Sequence, residues 1–194
     1  FRRIHNFSKN QLAVLANHEI GVHMVTTFNG LSQPLKVFSN GFPNNVETQE
    51  GLAVYSEYMS GNLTITRLKE LAYRVIAADS LAKGYSFSDT FDLLHNQYKL
   101  NRDKAFIVTL RVHRGGGFTK DHLYLTGLKK VYDYAKSGED LNVLLTGKVT
   151  LEYKDVILKM QELGLAIPSI HYTDAYLTND NQNKNFDFIL NSLK

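Results

Sequence analysis

Apolar residues recur at helical spacing along most of this chain. Leu12, Leu15, Ala16, Ile20, Met24 and Val25 follow Ser8-Lys9-Asn10-Gln11, which reads as a capping box with Ser8 as N-cap and Gln11 reaching back to it. The periodicity places those apolar residues on a core face, and Asn29-Gly30 reads as the stop. Residues Leu31 to Val46 hold two of the three prolines and several Ser, Asn and Gly, which predicts a loop or a short edge strand. A second helix is expected from Thr48 to Ser60, ending at Gly61, and a third from Ile65 to Lys83, ending at Gly84. Ser88 and Asn101 read as N-caps of helices reaching about Tyr98 and Val112. The run Gly115-Gly116-Gly117 breaks the chain, and a helix from about Lys120 to Ala135 follows. Leu141 to Leu145 reads as a short strand. Thr150 caps a helix to about Leu163, and Asn185 to Leu193 forms a last one. The expected fold is therefore mainly α with few short strands, one domain over residues 1–194.

Composition narrows the partners. A chain of 194 residues that is 43% hydrophobic can bury one core of its own. It has no cysteine, so disulfides and thiolate metal ligands are excluded, leaving histidine and carboxylate. A net charge of +3, with Lys and Arg alternating with acids, does not call for nucleic acid. No apolar run is long enough to span a bilayer and no secretory signal is visible. A cytoplasmic protein with no membrane partner is the expectation.

The chemistry concentrates in His18-Glu19-Ile20-Gly21-Val22-His23. Two imidazoles and a carboxylate hold a catalytic zinc while leaving a position for water, and a free glutamate takes that water's proton. The common H-E-x-x-H motif puts both histidines on one helical face. Here there is one residue more, and five residues of a regular helix turn about 140° past alignment. A π-bulge would absorb the insertion, and Gly21 would ease it. The plain alternative is a regular helix with one histidine buried and the other in solvent. Glu47, Glu50 and Glu57 on the second helix are the candidates for a third ligand. Otherwise Glu50 is an acid favoured in a first turn and Glu57 part of a solvated face. Arg111, Arg114 and Lys120 flank the glycine run and suit a substrate carboxylate, the arginines through their bidentate fork. Each reads equally well as a surface cation. Tyr124 is a hydroxyl donor for a tetrahedral oxyanion.

Three blocks of this sequence resemble one family. HEIGVH at residues 18–23, QEGLAVYSEY at 49–58, and RVHRG at 111–115 with FTKDHLYLTG at 118–127 are similar to the bacterial proteins named for their QEGLA motif. Those proteins are related to the microtubule-associated tyrosine carboxypeptidases of animals. Dipeptidyl peptidase III also uses a six-residue zinc motif with a downstream glutamate. The resemblance implies a zincin-like metallopeptidase domain and a zinc-dependent carboxypeptidase acting on a peptide or protein C-terminus. It makes His18, His23 and Glu50 the zinc ligands and Glu19 the general base. It does not carry over tubulin as substrate. Family members have a substantial segment before the zinc helix, and this chain starts at Phe1, so a catalytic part of a longer protein is expected. The rival readings are a non-catalytic regulatory or binding protein on the same fold, and a metal hydrolase acting on a non-peptide amide.

Overall fold

The computed structural model describes residues 7–115, 119–178 and 183–193. They form two compact units, one of residues 7–63 and 126–193, the other of residues 64–125. Among the described residues every regular element is a helix.

The first unit begins with one long helical run. Ser8 caps α1 (Lys9–Leu15) through the capping box expected of it. The run continues as a π-helix over Ala16–Met24 and returns to α geometry in α2 (Val25–Ser32). The deformation changes which face is buried. His18, Val22, Thr26, Asn29 and Gly30 turn inward, whereas Leu12, Leu15, Ile20 and Met24, expected in the core, are exposed. Gly30 does not end the helix. It sits inside α2, where a Cβ would lie 2.6 Å from the Phe38 carbonyl oxygen, so the missing side chain allows close backbone packing. The proline-bearing segment contains a one-turn helix, α3 (Val37–Asn40), and no strand.

Next comes α4 (Asn45–Met59), which starts three residues before the expected Thr48. Every residue from Thr48 to Tyr58 is buried, so this helix is enclosed on all sides. Its polar residues must therefore find partners inside the protein. Gln49 accepts from Thr26 Oγ1 at 2.7 Å, and Ser56 donates to the Asn17 carbonyl at 3.0 Å. Both partners belong to the first helical run, which α4 packs against.

The rest of this unit surrounds α4. Helix α8 (Leu123–Lys136) approaches it at two glycines: a Cβ on Gly51 would collide with the Gly127 backbone, and one on Gly127 with the Glu47 carbonyl. Leu141–Leu145, expected as a strand, is a 3-10 helix capped by Asp140. The side-chain bond from Asn142 N to Asp140 Oδ1 tightens the turn, and Val143, Leu144 and Leu145 are buried by it. A further 3-10 turn at Leu151–Tyr153 precedes α9 (Lys154–Glu162). The short α10 (Asp174–Thr178) and the Asn183-capped α11 (Lys184–Ser192) complete the unit. Tyr58 and Tyr132 both donate to Asp187 Oδ1, at 2.9 and 2.8 Å, fixing α11 to α4 and α8.

The second unit is a smaller helical cluster. Thr64 caps α5 (Ile65–Ala82), which ends at Gly84 with φ +82°. Ser86, not Ser88, caps α6 (Phe87–Asp92), because Asp89 lies three residues on and completes a capping box. A π-turn over Leu93–Gln97 follows, and then α7 (Arg102–His113), capped by Asn101 as expected. Ala77, Leu94, Leu100, Ala105 and Val112 form its core.

Candidate metal centre

The histidines meet because the helix carrying them is widened. When backbone bonds close at i→i+5, residues five apart fall one turn above each other, so His18 and His23 share a face. Their rings stand 5.1 Å apart, edge to face at 78°. Side chains accept or supply what this backbone needs: the Gly21 carbonyl accepts from the buried Thr173 hydroxyl at 2.6 Å. Together with Ser56 on the Asn17 carbonyl, it ties the π segment to the surrounding structure on two sides.

Glu50 completes the cluster from α4. It lies in the second turn of that helix, buried, and not in the first turn where a helix dipole would explain it. Its Oε2 is 3.4 Å from His18 Nε2 and 3.7 Å from His23 Nε2. Ligand atoms about 2.0–2.2 Å from a tetrahedral centre lie roughly 3.3–3.6 Å from one another. The three residues offer donor atoms that all fall within 4.8 Å of each other, so the donor set fits one metal ion. His18 is buried and His23 half-buried, which leaves one side of the cluster toward solvent.

The other two acids on α4 have different partners. Glu57 is fully buried, not on a solvated face, and accepts from His18 Nδ1 at 2.9 Å. That bond keeps a proton on Nδ1 and turns Nε2 toward Glu50 and His23. Glu47 forms an ion pair with Lys130 at 2.5 Å near the surface. Without metal, burial disfavours the His18 imidazolium, but the bonds to Glu50 and Glu57 outweigh it and lift its pKa to about 9. Glu19, between the two histidines in sequence, is exposed.

Beside the histidines the same helix presents apolar side chains. Ile20, Met24 and Phe28, with Ile170, Tyr172 and Leu177, line a groove of about 420 Å³.

The remaining expected site residues lie in the second unit. Arg111 donates from Nε to Asp121, so it is not a simple surface cation. Arg114 is exposed at the C-terminal end of α7, and Lys120 is exposed just before α8. Tyr124 is buried, its ring beneath the Arg74 guanidinium at 5.4 Å. Gly116, Gly117 and Phe118 lie outside the described residues. Glu57 lies within the quoted 49–58 block and reads from sequence as a candidate ligand, not as the partner of a histidine, and Arg74 had no motif to announce it. The signal for Glu57 was its seven-residue spacing from Glu50, two turns along one helical face.

A helical domain with a six-residue His-Glu…His motif and a glutamate from the next helix belongs to the metallopeptidase-like class. More narrowly, the chain belongs to the microtubule-associated tyrosine carboxypeptidase family, whose model matches residues 1–194. No curated protein and no solved structure matches it. The family is carboxypeptidase-like, and the His18, His23 and Glu50 group could hold a metal ion. No helix among the described residues is long and apolar enough to cross a membrane.

Proposed function

We propose that the chain is a zinc-dependent carboxypeptidase that hydrolyses the C-terminal peptide bond of a peptide or protein. The observation that carries this reading is the approach of two imidazole nitrogens and a buried carboxylate across a π-helix, with family membership beside it. His18, His23 and Glu50 would hold the zinc. Neutral imidazole and carboxylate suit that metal, and no thiolate competes because the chain has no cysteine. Bound there, zinc supplies a Lewis acid that acidifies water and polarises a carbonyl.

The chain's own residues do the rest. Glu57 holds the Nδ1 proton of His18 and so fixes the ring's orientation. Glu19 takes a proton from the attacking water and delivers it to the departing amine nitrogen. Its exposure supports that role, because a general base must meet a water arriving from solvent. A purely structural metal site would need no such glutamate.

The test is to incubate the zinc-loaded chain with peptides of diverse C-termini and to read the products by mass spectrometry. Loss of single C-terminal residues is expected. Cuts at internal bonds would make it an endopeptidase. A zinc-loaded chain that cuts nothing would support the rival reading of a binding protein on the same fold.

A further inference from the structure

Helix α7 of the second unit has two faces. Ala105, Thr109 and Val112 are buried, whereas Asp103, Ile107, Leu110 and Arg114 are exposed on the opposite side. At about 100° per residue these four fall within roughly 60° of one another, and their spacing is that of the seam between two paired helices. Ile107 is 61% exposed and Leu110 46%, so the middle of the seam is apolar and open to water. Asp103 in the first turn and Arg114 at the C-cap suit the helix dipole, but the dipole does not account for the apolar pair between them.

The order of these residues is self-complementary. Asp103 and Arg114 lie equally far from the midpoint between Val108 and Thr109, and so do Ile107 and Leu110. A second copy of α7 laid antiparallel, with a twofold axis at that midpoint, sets Asp103 of each protomer against Arg114 of the other and Ile107 of each against Leu110 of the other. A parallel pair would instead set Asp103 on Asp103 and Arg114 on Arg114.

The surface beside the seam agrees. A groove of about 540 Å³ runs between α6 and the first half of α7, lined by Phe87, Phe91, Phe106 and Ile107. The Phe87 and Phe106 rings pack edge to face at 5.6 Å and join the two helices across it. About the twofold axis, the second half of the other α7 crosses this groove, so its Leu110 meets apolar surface. Asp92 and Asp103 line the same groove against a single Arg102, an acidic balance that suits an incoming Arg114.

We propose that the chain forms a symmetric homodimer through antiparallel α7 helices, the groove of each protomer receiving Leu110 and Arg114 of the other. Helix α7 has 12 residues, about 18 Å of length, so the interface is small and the association weak and reversible. The dimer does not rest on the carboxypeptidase reading.

Sedimentation velocity of the full chain over about 5–500 μM tests this, and a monomer–dimer equilibrium is expected within that range. Asp103→Arg and Arg114→Asp each turn both charge contacts of the dimer from attraction to repulsion, and each should raise Kd at least roughly tenfold. An equimolar mixture of the two variants should associate like the parent, because each supplies the charge that the other lacks. The chain carrying both substitutions should do the same, which a parallel pairing does not predict. Leu110→Ser, at an exposed position, should abolish the dimer while the circular dichroism spectrum stays that of the parent. A chain that remains monomeric up to about 500 μM would overturn the proposal. So would a dimer that Leu110→Ser or both folded charge variants leave unchanged, or a double swap that fails to restore association.

Discussion

Replacing Glu57 by glutamine should weaken metal binding without touching a metal ligand. Glu57 is 0% exposed, and its Oε1 accepts from His18 Nδ1 at 2.9 Å. Glutamine fits the same space and can still accept that bond, but it removes the negative charge behind the imidazole. Loss of such an outer partner typically costs 10–100-fold in metal affinity. At a fixed zinc concentration well above both dissociation constants, that is about 1.4–2.7 kcal/mol less metal-induced stabilisation. Zinc affinity would be measured by competition with a chromogenic chelator, and stability by urea unfolding with and without metal. Glu47→Gln is the matched control: this acid was an equal candidate from sequence, but it pairs with Lys130 at 2.5 Å on the surface. It should leave zinc affinity unchanged and alter stability by no more than about 1 kcal/mol. Equal zinc affinity in the parent and Glu57→Gln, or a larger loss in Glu47→Gln, would refute the assignment of the two acids.

Three further outcomes follow from the same structure. Gly51→Ala should cost about 1–3 kcal/mol in urea unfolding and lower zinc affinity with it, because the new methyl group meets the Gly127 backbone next to Glu50. Asp187→Ala should cost about 2–4 kcal/mol by taking an acceptor from two buried tyrosine hydroxyls, and an unfolding midpoint within error of the parent would contradict it. In the metal-free chain, His18 has a folded pKa of about 9 against an ordinary value of 6.5. Its contribution to stability is therefore complete below about pH 6.5 and lost as pH rises through about 9. The stability difference between the metal-free parent and His18→Gln should shrink over that window, while metal-induced stabilisation grows because the ligand must be neutral.

Much of this was legible in the sequence where local chemistry decides the outcome. The Ser8 capping box, the Asn101 cap and the stops at Gly61 and Gly84 depend on residues within a few positions, and they stand where expected. The inserted residue between His18 and His23 also predicted its own consequence, a π segment. The burial of that helix was not legible. A periodic count assumes one regular helix throughout, whereas the π segment leaves Ile20 and Met24 outward and His18 and Val22 inward, and Leu12 and Leu15 lie in α1, where no residue is buried. Gly30 read as a stop, but its role is close packing against Phe38, a contact that local spacing cannot reveal. The same holds for Gly51 and Gly127: both occur in the quoted motifs, yet only the approach of α4 and α8 explains them. Leu141 to Leu145 has a strand's composition, and the Asp140 cap with tertiary burial makes it a 3-10 turn instead.

The central claim is that one cluster holds zinc and that Glu19 moves the proton. The most direct measurement compares zinc content and peptide hydrolysis side by side in the parent, Glu19→Gln and His23→Ala. The parent should carry one zinc and release C-terminal residues. Glu19→Gln should keep the zinc and lose nearly all turnover, since an amide of the same shape cannot accept the proton. His23→Ala should lose both, because two protein ligands hold zinc poorly. Unchanged turnover in Glu19→Gln, or full zinc content in His23→Ala, would contradict the account.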